Sequence, residues 1–436
     1  MQIVLALIVL GLLIFVHELG HFLIAKWSGI RVLAFSIGFG PTIVNHKVGE
    51  TEYRISAIPF GGYVKMSGED PEEESTDDPR AYISKPVWQR MAVAAAGPVA
   101  NFLFAFVALW IVFMAGVSRP AYNENTTLGG VAPKSAAARS GLETGDSISA
   151  LAGKPVESWD ELQKRLTRER GNGFSITIIR NGQQRQLHLE PDRAHKGDEG
   201  FDPLGGLRPP LPAVIGMISE NSPAERSRLQ PQDSVIAFNG EPVHSWFQFA
   251  NAISSFQKGN DSASLRVRRN SKSLTIKVVP EYDSTEQRYL LGIRPASPPT
   301  RVVRYSLLSA MSRAGATSWE YATLIFTFLG QLFSRTVPAD QLAGPVGIVQ
   351  IGAAAAEAGV SALIMLAALI SVNLAVLNLL PLVITDGGQM LFLIIEGMRG
   401  KPVSSDMRAR INRIAVALFI LLFLYVTWND LQRMFG

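Results

Sequence analysis

The chain has 436 residues, of which 47% are hydrophobic, and its formal net charge is only +4. The hydrophobic share is high, but long apolar runs are few, so we expect a membrane part joined to a large water-soluble part. The small and dispersed charge argues against a nucleic-acid partner. Because the chain has no cysteine, the soluble part holds no disulfide, and a zinc site would have to use histidine and carboxylate ligands.

Four apolar runs are long enough to cross a membrane as helices. They cover residues 3–25, 91–116, 361–384 and 411–428. The first run has no charged residue between Met1 and Val16 and ends at Lys26, as a membrane span should. We therefore predict four transmembrane helices, at about residues 1–26, 91–116, 361–384 and 411–430.

The first span carries a metal-ligand motif, His17-Glu18-Leu19-Gly20-His21. Residues four apart lie on one face of an α-helix, so both imidazoles can bind one zinc ion. Glu18 stands beside them, where it can act on water. Ionisable side chains within a membrane span are costly and usually functional. The motif predicts a zinc hydrolase that works within the membrane; the alternative is a satisfied histidine pair without a metal.

Two extended stretches follow, residues 35–44 and 51–66, separated by a polar turn at 45–50. Their β-branched and aromatic residues predict a β-hairpin within segment 27–90. An edge strand of such a hairpin could pair with an unwound substrate, whereas the alternative is an ordinary cytoplasmic hairpin. Residues 67–80 are acidic and are interpreted as a solvated linker.

The soluble segment contains an internal repeat: residues 135–142 align with residues 222–229, 87 positions later. Two copies indicate duplicated domains, which we place at 122–210 and 211–296. Each copy has the pattern of a strand, a short helix, a strand, a longer helix and a hairpin. This order is similar to that of bacterial PDZ domains.

PDZ domains bind chain ends or extended peptides by strand addition. Neither copy shows a clear Gly-Leu-Gly-Phe carboxylate loop, and residues 128–131 (Leu-Gly-Gly-Val) are only a partial match. We therefore favour a steric gate over a peptide receptor. Residues 297–360 follow as an amphipathic region, and stretch 305–333 within it predicts a pair of helices at the membrane interface.

Asp386 stands at the end of the third span, after Pro381 and before Gly387 and Gly388. Proline breaks a helix and glycine permits a sharp turn, so we expect unwound backbone here. At membrane depth such backbone is tolerated only when it is buried in protein or lines a wet cavity. Asp386 would complete a His–His–Asp ligand set and leave a fourth position for water or substrate. The alternative is that it only caps a helix or ends the span.

Lysine and arginine indicate the topology. Segments 27–90 and 385–410 are both rich in these residues, which predicts cytoplasmic loops. Residues 117–360 and both termini then lie on the opposite side. His17 and His21 precede Lys26 closely, so the predicted site lies within the membrane, nearer its cytoplasmic end.

The motifs of spans 1, 2 and 3 together resemble the site-2 protease family of intramembrane zinc metalloproteases. They are His-Glu-x-x-His, residues 97–102 (Gly-Pro-Val-Ala-Asn-Phe) and Asn-x-x-Pro-x-x-x-x-Asp-Gly. The resemblance covers nearly the whole chain and is strongest to the branch that has two PDZ domains between spans 2 and 3. This chain has Val383 and Thr385 where close relatives often have proline and leucine.

Carried over to this sequence, the resemblance implies that His17, His21 and Asp386 bind Zn²⁺ and that Glu18 is the catalytic carboxylate. It also implies substrate contacts, which fall on Asn378, Pro381 and Asn373; helix–helix hydrogen bonding is the alternative for the two asparagines.

We therefore expect a multi-pass α-helical protein of a bacterial inner membrane, with a membrane-associated β-hairpin and two α+β PDZ domains in its extracytoplasmic segment. The expected function is that of an intramembrane zinc endopeptidase that cleaves single-pass membrane proteins. The resemblance implies anti-sigma factors of the envelope stress response, and remnant signal peptides, as substrates. Two alternatives stay open: a double-PDZ membrane receptor or scaffold whose metal site is structural or inactive, and a membrane-anchored metalloprotease that attacks soluble chains.

Overall fold

The computed structural model describes residues 2–69, 78–168, 173–190, 205–256, 262–284, 287–334, 345–382 and 385–435. The chain forms two compact units. One comprises Met1–Val117 and Val302–Gly436, and the other comprises Ser118–Arg301. The first unit holds the predicted membrane segments, and the second holds the internal repeat.

The elements follow one another in three stretches. The first contains α1 (Gln2–Trp27), β1 (Val32–Val48), β2 (Thr51–Met66), a 3-10 helix at Tyr82–Ser84 and α2 (Val87–Ala115). The second contains β3 (Val117–Pro120), a 3-10 helix at Ala121–Glu124, β4 (Gly130–Val131), α3 (Ala136–Arg139), β5 (Ser147–Leu151), β6 (Lys154–Pro155), α4 (Trp159–Arg168), β7 (Phe174–Arg180), β8 (Gln183–Leu189), β9 (Leu207–Arg208), β10 (Ile215–Ile218), α5 (Pro223–Arg226), β11 (Ser234–Phe238), β12 (Glu241–Pro242), α6 (Trp246–Ser254), β13 (Ala263–Arg269), β14 (Lys272–Val278), β15 (Glu281–Asp283), β16 (Arg288–Leu290), β17 (Ile293–Pro295) and β18 (Thr300–Val303). The third contains α7 (Leu307–Phe333), α8 (Pro345–Ala358), α9 (Val360–Leu379), α10 (Asp386–Arg399) and α11 (Ser405–Phe435).

Three helices of the described chain are apolar and long enough to cross a membrane: Ile8–Trp27, Val87–Ala115 and Val360–Leu379. They coincide with the first three predicted spans. A segment of 20 residues, the length of the first and third, extends about 30 Å at the α-helical rise, which matches the hydrocarbon thickness of a bilayer. The fourth predicted span lies within α11, where several side chains fall outside the described part, and it stays a prediction.

The third span is shorter than the predicted 361–384. Its helix ends at Leu379 because Leu380 has an extended backbone (ψ 143°) and Pro381 follows. The segment predicted as loop 385–410 is also largely helical, since α10 begins at Asp386. This helix ends where Gly400 adopts the left-handed conformation (φ 65°) that glycine permits.

The predicted pair of helices over 305–333 is wrong, because α7 is one continuous helix. Ala310, Ala314 and Ala322 pack into a core shared with α2 and α9. Arg313 and Glu320 lie exposed on α7, outside this core. The charged residues therefore mark the outer face of one amphipathic helix.

The predicted β-hairpin is present, but its first strand extends to Val48 and the turn is confined to Gly49 and Glu50. Gly49 has φ 60°, which favours glycine and lets the chain reverse at once. The first half of β1 pairs on both sides: Ile37 lies opposite Gly62 and also opposite Ile55. The two long strands therefore fold into a small sheet rather than a simple ribbon.

The second unit contains two similar substructures, and the predicted domain bounds 122–210 and 211–296 stay predictions. Its sheets have equivalent orders, β6-β5-β7-β8 and β12-β11-β13-β14, each with a helix between the second and third strands along the chain. In each copy a late strand missing from the sequence-based prediction, β9 or β17, pairs with the first strand, β4 or β10. Each copy has its own buried hydrophobic core.

Candidate metal centre

Three potential metal ligands from distant parts of the chain meet in one cluster. His17 and His21 lie one turn apart on α1, and Asp386 is the first residue of α10. His17 Nε2 lies 3.1 Å from Asp386 Oδ2, and His21 Nε2 lies 3.4 Å from Asp386 Oδ1. The two Nε2 atoms are 3.2 Å apart. The structure thus brings together the three residues that the sequence predicts as ligands.

Both imidazole rings turn Nε2 toward this cluster and Nδ1 toward α2. His21 Nδ1 lies 2.7 Å from the carbonyl oxygen of Val93, and His17 Nδ1 lies 3.1 Å from the side-chain amide of Asn101. Helix α2 therefore supplies a hydrogen-bonding partner for each histidine, and these contacts set the orientation of the two rings.

Small residues allow α1 and α2 to approach closely at the site. A Cβ atom added at Gly97 would lie 2.3 Å from His21 Nε2 and 2.7 Å from His17 Cε1. A Cβ atom at Gly20 would lie 2.3 Å from the carbonyl oxygen of Ala96. Close helix contacts built on small residues are typical of membrane bundles. Gly97 in particular keeps the space around the histidines open.

Glu18 lies between the histidine pair and the small β-sheet. A Cβ atom at Gly62 would be 3.0 Å from Glu18 Cγ, and the backbone of Val64 hydrogen-bonds to the Glu18 carboxylate. Gly62 and Val64 both belong to β2. The strand therefore passes directly beside the predicted catalytic carboxylate.

Asp386 reaches the histidines through a tight connection after α9. Thr385 Oγ1 lies 2.8 Å from the carbonyl oxygens of both Leu380 and Leu382, and these contacts hold the connection against the end of α9. A Cβ atom at Gly387 would lie 2.3 Å from the carbonyl oxygen of Leu380. The first turn of α10 can occupy this position only because residue 387 is glycine.

The three predicted substrate residues occupy different environments. Asn378 Nδ2 lies 3.3 Å from His17 Nε2, at the border of the ligand cluster. Pro381 is exposed, in the connection between α9 and α10. Asn373 is half-buried on α9 and takes part in none of the described hydrogen bonds around the cluster. The geometry associates Asn378 with the cluster, and the substrate roles of all three stay predictions.

The donor set suits zinc. Two imidazole nitrogens and a carboxylate oxygen are ligands that zinc accepts at catalytic sites, where an open position remains for water or substrate. The three ligand atoms all lie within 4.8 Å of one another, and Asp386 Oδ2 is buried with His17 Nε2 3.1 Å away. A cation bound by these three residues would satisfy that oxygen.

Sequence reasoning missed the ion pair of Arg90 with Glu396, which joins α2 to α10. It also missed the role of Gly62 and the contact of Asn101 with His17. Asn101 belongs to the motif at residues 97–102, which could have directed attention to it. Nothing in the linear sequence pairs Arg90 with Glu396 or Gly62 with Glu18.

The chain is similar to known proteins over nearly its whole length. The sequence profile of peptidase family M50 matches residues 5–422. The regulator of sigma-E protease RseP of Salmonella typhimurium (strain 14028s) and that of Escherichia coli (strain K12) are each 35% identical to the chain, over 98% of this chain and 98% of the relative. A putative zinc metalloprotease of Vibrio cholerae is 32% identical with the same coverage. The similarity therefore extends through both units.

Proposed function

The chain belongs to peptidase family M50, and from this premise we propose that it is an intramembrane zinc endopeptidase. Its substrates are single-pass membrane proteins, cut within their transmembrane segments. The observation that carries the proposal is the cluster of His17, His21 and Asp386, with Glu18 adjacent, on and beside helices long enough to span a bilayer.

His17, His21 and Asp386 would hold the metal through the three atoms that converge in the cluster. Bound zinc lowers the pKa of water and polarises a peptide carbonyl, so it supplies both an activated nucleophile and an electrophile. Glu18 takes the proton of the attacking water and delivers it to the leaving amide nitrogen as the C–N bond breaks. The net reaction adds one water molecule across the peptide bond.

A helical substrate hides its scissile amide in hydrogen bonds, so it has to be unwound before attack. Residues 62–64 of β2 pair with the start of β1, and the strand passes beside Glu18 at Gly62 and Val64. An extended substrate segment that pairs with this small sheet would run past Glu18. Asn378 can then donate its side-chain amide to a carbonyl of the loosened segment.

The two repeats of the second unit fit a role as PDZ domains that act as a gate. The partial carboxylate loop of the first repeat, at 128–131, is covered, because the Ser245 hydroxyl donates to the Gly129 carbonyl and a Cβ atom at Gly130 would lie 2.9 Å from Phe247 Cβ. Exclusion of bulky outer domains needs no open peptide site there. The name of the relatives, regulator of sigma-E protease, suggests an anti-sigma factor as substrate.

The proposed location is a bacterial inner membrane, crossed four times. Both termini and the second unit would lie on the periplasmic side, and the catalytic cluster would lie within the membrane toward the cytoplasm. The lysine and arginine residues of 27–90 and 385–410 support this orientation.

A cleavage assay with a metal measurement on the same samples tests the proposal. Purified protein in detergent is mixed with a single-span substrate tagged at both ends, and zinc is quantified by mass spectrometry. We expect Glu18→Gln to keep its zinc and cut nothing, and Asp386→Asn to lose both zinc and cleavage. Glu357→Gln makes the same change at an exposed position on α8 and serves as the control.

Two results would count against the proposal. Glu18-independent cutting would remove Glu18 from the chemistry. A wild-type protein that holds no metal and cuts none of several substrates would favour the double-PDZ receptor or scaffold instead.

A further inference from the structure

Asn101 is a fully buried polar residue whose side chain contacts a predicted zinc ligand. It lies on α2 with 0% of its surface exposed, and its amide is 3.1 Å from His17 Nδ1. The atom nearest His17 is the nitrogen Nδ2, and the oxygen Oδ1 is buried with no hydrogen-bond partner among the described residues. Burying a carboxamide among apolar helices is costly, so the residue calls for an explanation beyond packing.

We infer that Asn101 is a positioning residue that accepts a hydrogen bond from His17 Nδ1–H through its side-chain oxygen. This inference rests on the proposed function. His17 Nε2 faces Asp386 and His21, so Nε2 is the nitrogen available to a metal. A neutral imidazole that binds metal through the lone pair of one nitrogen carries its proton on the other. Nδ1 therefore has to be a donor, and the group that faces it has to accept.

His21 provides an internal parallel. Its Nδ1 lies 2.7 Å from the backbone carbonyl oxygen of Val93, a group that can only accept, and its Nε2 also faces Asp386. Val93 and Asn101 are two turns apart on α2. The same helix thus presents one acceptor to each ligand, a backbone carbonyl for His21 and a side-chain carbonyl for His17.

The carboxamide of Asn101 can meet this requirement without any movement of the backbone. Its two ends have the same shape, and a half-turn about the Cβ–Cγ bond exchanges the oxygen with the nitrogen. The Asn101 backbone is also held in place, because the Ser371 hydroxyl on α9 donates to its carbonyl oxygen at 3.0 Å. Partners of this kind fix the tautomer and orientation of a ligating histidine.

Two substitutions with side chains of nearly equal size distinguish hydrogen-bond acceptance by residue 101 from its packing. Asn101→Asp keeps an acceptor and has no amide donor, whereas Asn101→Leu fills the space without any polar atom. We expect Asn101→Leu to weaken zinc affinity by about 10–100-fold and Asn101→Asp to keep the wild-type affinity. Ser361→Ala removes a hydroxyl that donates from α9 to the Gly116 carbonyl at the end of α2, away from Asn101, and should leave zinc affinity unchanged. Affinity is measured by competition with a chromophoric chelator on full-length protein in detergent.

A spectroscopic measurement on the wild type needs no variant to fold. In zinc-loaded protein with ¹⁵N-labelled histidine, His17 should show a proton on Nδ1 and a metal-bound Nε2, the pattern also expected of His21. A metal-bound or proton-free Nδ1 at His17 overturns the inference. So does wild-type affinity in Asn101→Leu, or a loss in Asn101→Asp as large as that in Asn101→Leu.

These outcomes distinguish the inference from the function on which it rests. If the wild type binds zinc and Asn101→Leu binds it equally well, only the role of Asn101 fails. If the wild type binds no zinc, the proposed function fails and takes the inference with it.

Discussion

The guanidinium of Arg90 and the carboxylate of Glu396 form a two-pronged ion pair, although 306 residues separate them along the chain. The two contacts are 3.1 Å and 2.6 Å long, and both side chains are buried. Arg90 belongs to α2, which orients both histidines, and Glu396 belongs to α10, which begins with Asp386. The pair therefore ties the helix that begins with the predicted carboxylate ligand to the helix that contacts both histidines.

Removal of one partner should damage both the fold and the metal site. Glu396→Ala leaves the Arg90 charge buried without its counter-ion, which costs about 3–5 kcal/mol in comparable pairs. We expect a lower Tm and weaker zinc binding, measured by thermal unfolding and by chelator competition. Glu50→Ala breaks the exposed pair with Arg80 and should change neither quantity appreciably. A Glu396→Ala protein with wild-type Tm and zinc affinity would refute the assigned role.

Gly97→Ala should disrupt the metal centre directly. The new methyl group would lie 2.3 Å from His21 Nε2, so either the ring or the helix has to move. Overpacking of this kind costs about 1–3 kcal/mol, and each 1.4 kcal/mol corresponds to about a tenfold loss in affinity. Zinc titration measures the effect. Gly11→Ala makes the same change on α1, where the added Cβ would meet no atom of the described residues within 4 Å beyond its own helix backbone, and normal zinc binding is expected.

Gly62→Ala should impair catalysis more than metal binding. Its Cβ would lie 3.0 Å from Glu18 Cγ and 2.9 Å from the carbonyl oxygen of Ser36, so β2 or the Glu18 side chain has to shift. Displacement of a catalytic group by about 1 Å can lower the rate by about 100-fold. We expect a reduced kcat with unchanged zinc content. Gly315→Ala on α7 is the matched control, since its nearest neighbour is 3.9 Å away. Loss of zinc in Gly62→Ala with normal turnover per bound metal would contradict this expectation.

The buried aspartate of the first repeat offers a test of the gate. Asp146 is 1% exposed and accepts hydrogen bonds from Arg180 Nε and Nη2 at 2.6 and 2.7 Å. Asp146→Ala should unfold the first repeat locally, which hydrogen exchange across β5 and β7 would detect. If the repeat is a gate, this variant should cut a substrate that retains its outer domain, which the wild type should spare.

The control variant changes the other acidic residue that contacts Arg180. Glu143 also contacts Arg180, at 2.7 Å, but its side chain is 66% exposed. Glu143→Ala should therefore leave the repeat folded and the discrimination between substrates intact. A locally unfolded first repeat in Asp146→Ala, together with unchanged discrimination, would contradict the gating role.

Much of the candidate site was predictable because local rules specify it. The four-residue spacing of His17 and His21 fixes their common helix face in any α-helix, and Pro381 ends α9 near the predicted place. The duplicated pattern in the second unit was likewise visible, since repeated sequence folds into repeated elements. The boundaries of β1 and α10 could not be predicted in this way. The end of β1 depends on the pairing of residues 45–48 with β2, and α10 depends on its packing against α2.

The sequence by itself determined the candidate ligands, the apolar helices that carry or adjoin them, the predicted catalytic carboxylate beside the histidines and the internal repeat. Only the tertiary structure decided how these parts are held: Asn101 against His17, Gly62 against Glu18, and Arg90 against Glu396. Each of these contacts joins residues that are far apart in the chain. Whether two such groups meet depends on how the helices and the sheet pack as a whole, and no local periodicity encodes that packing.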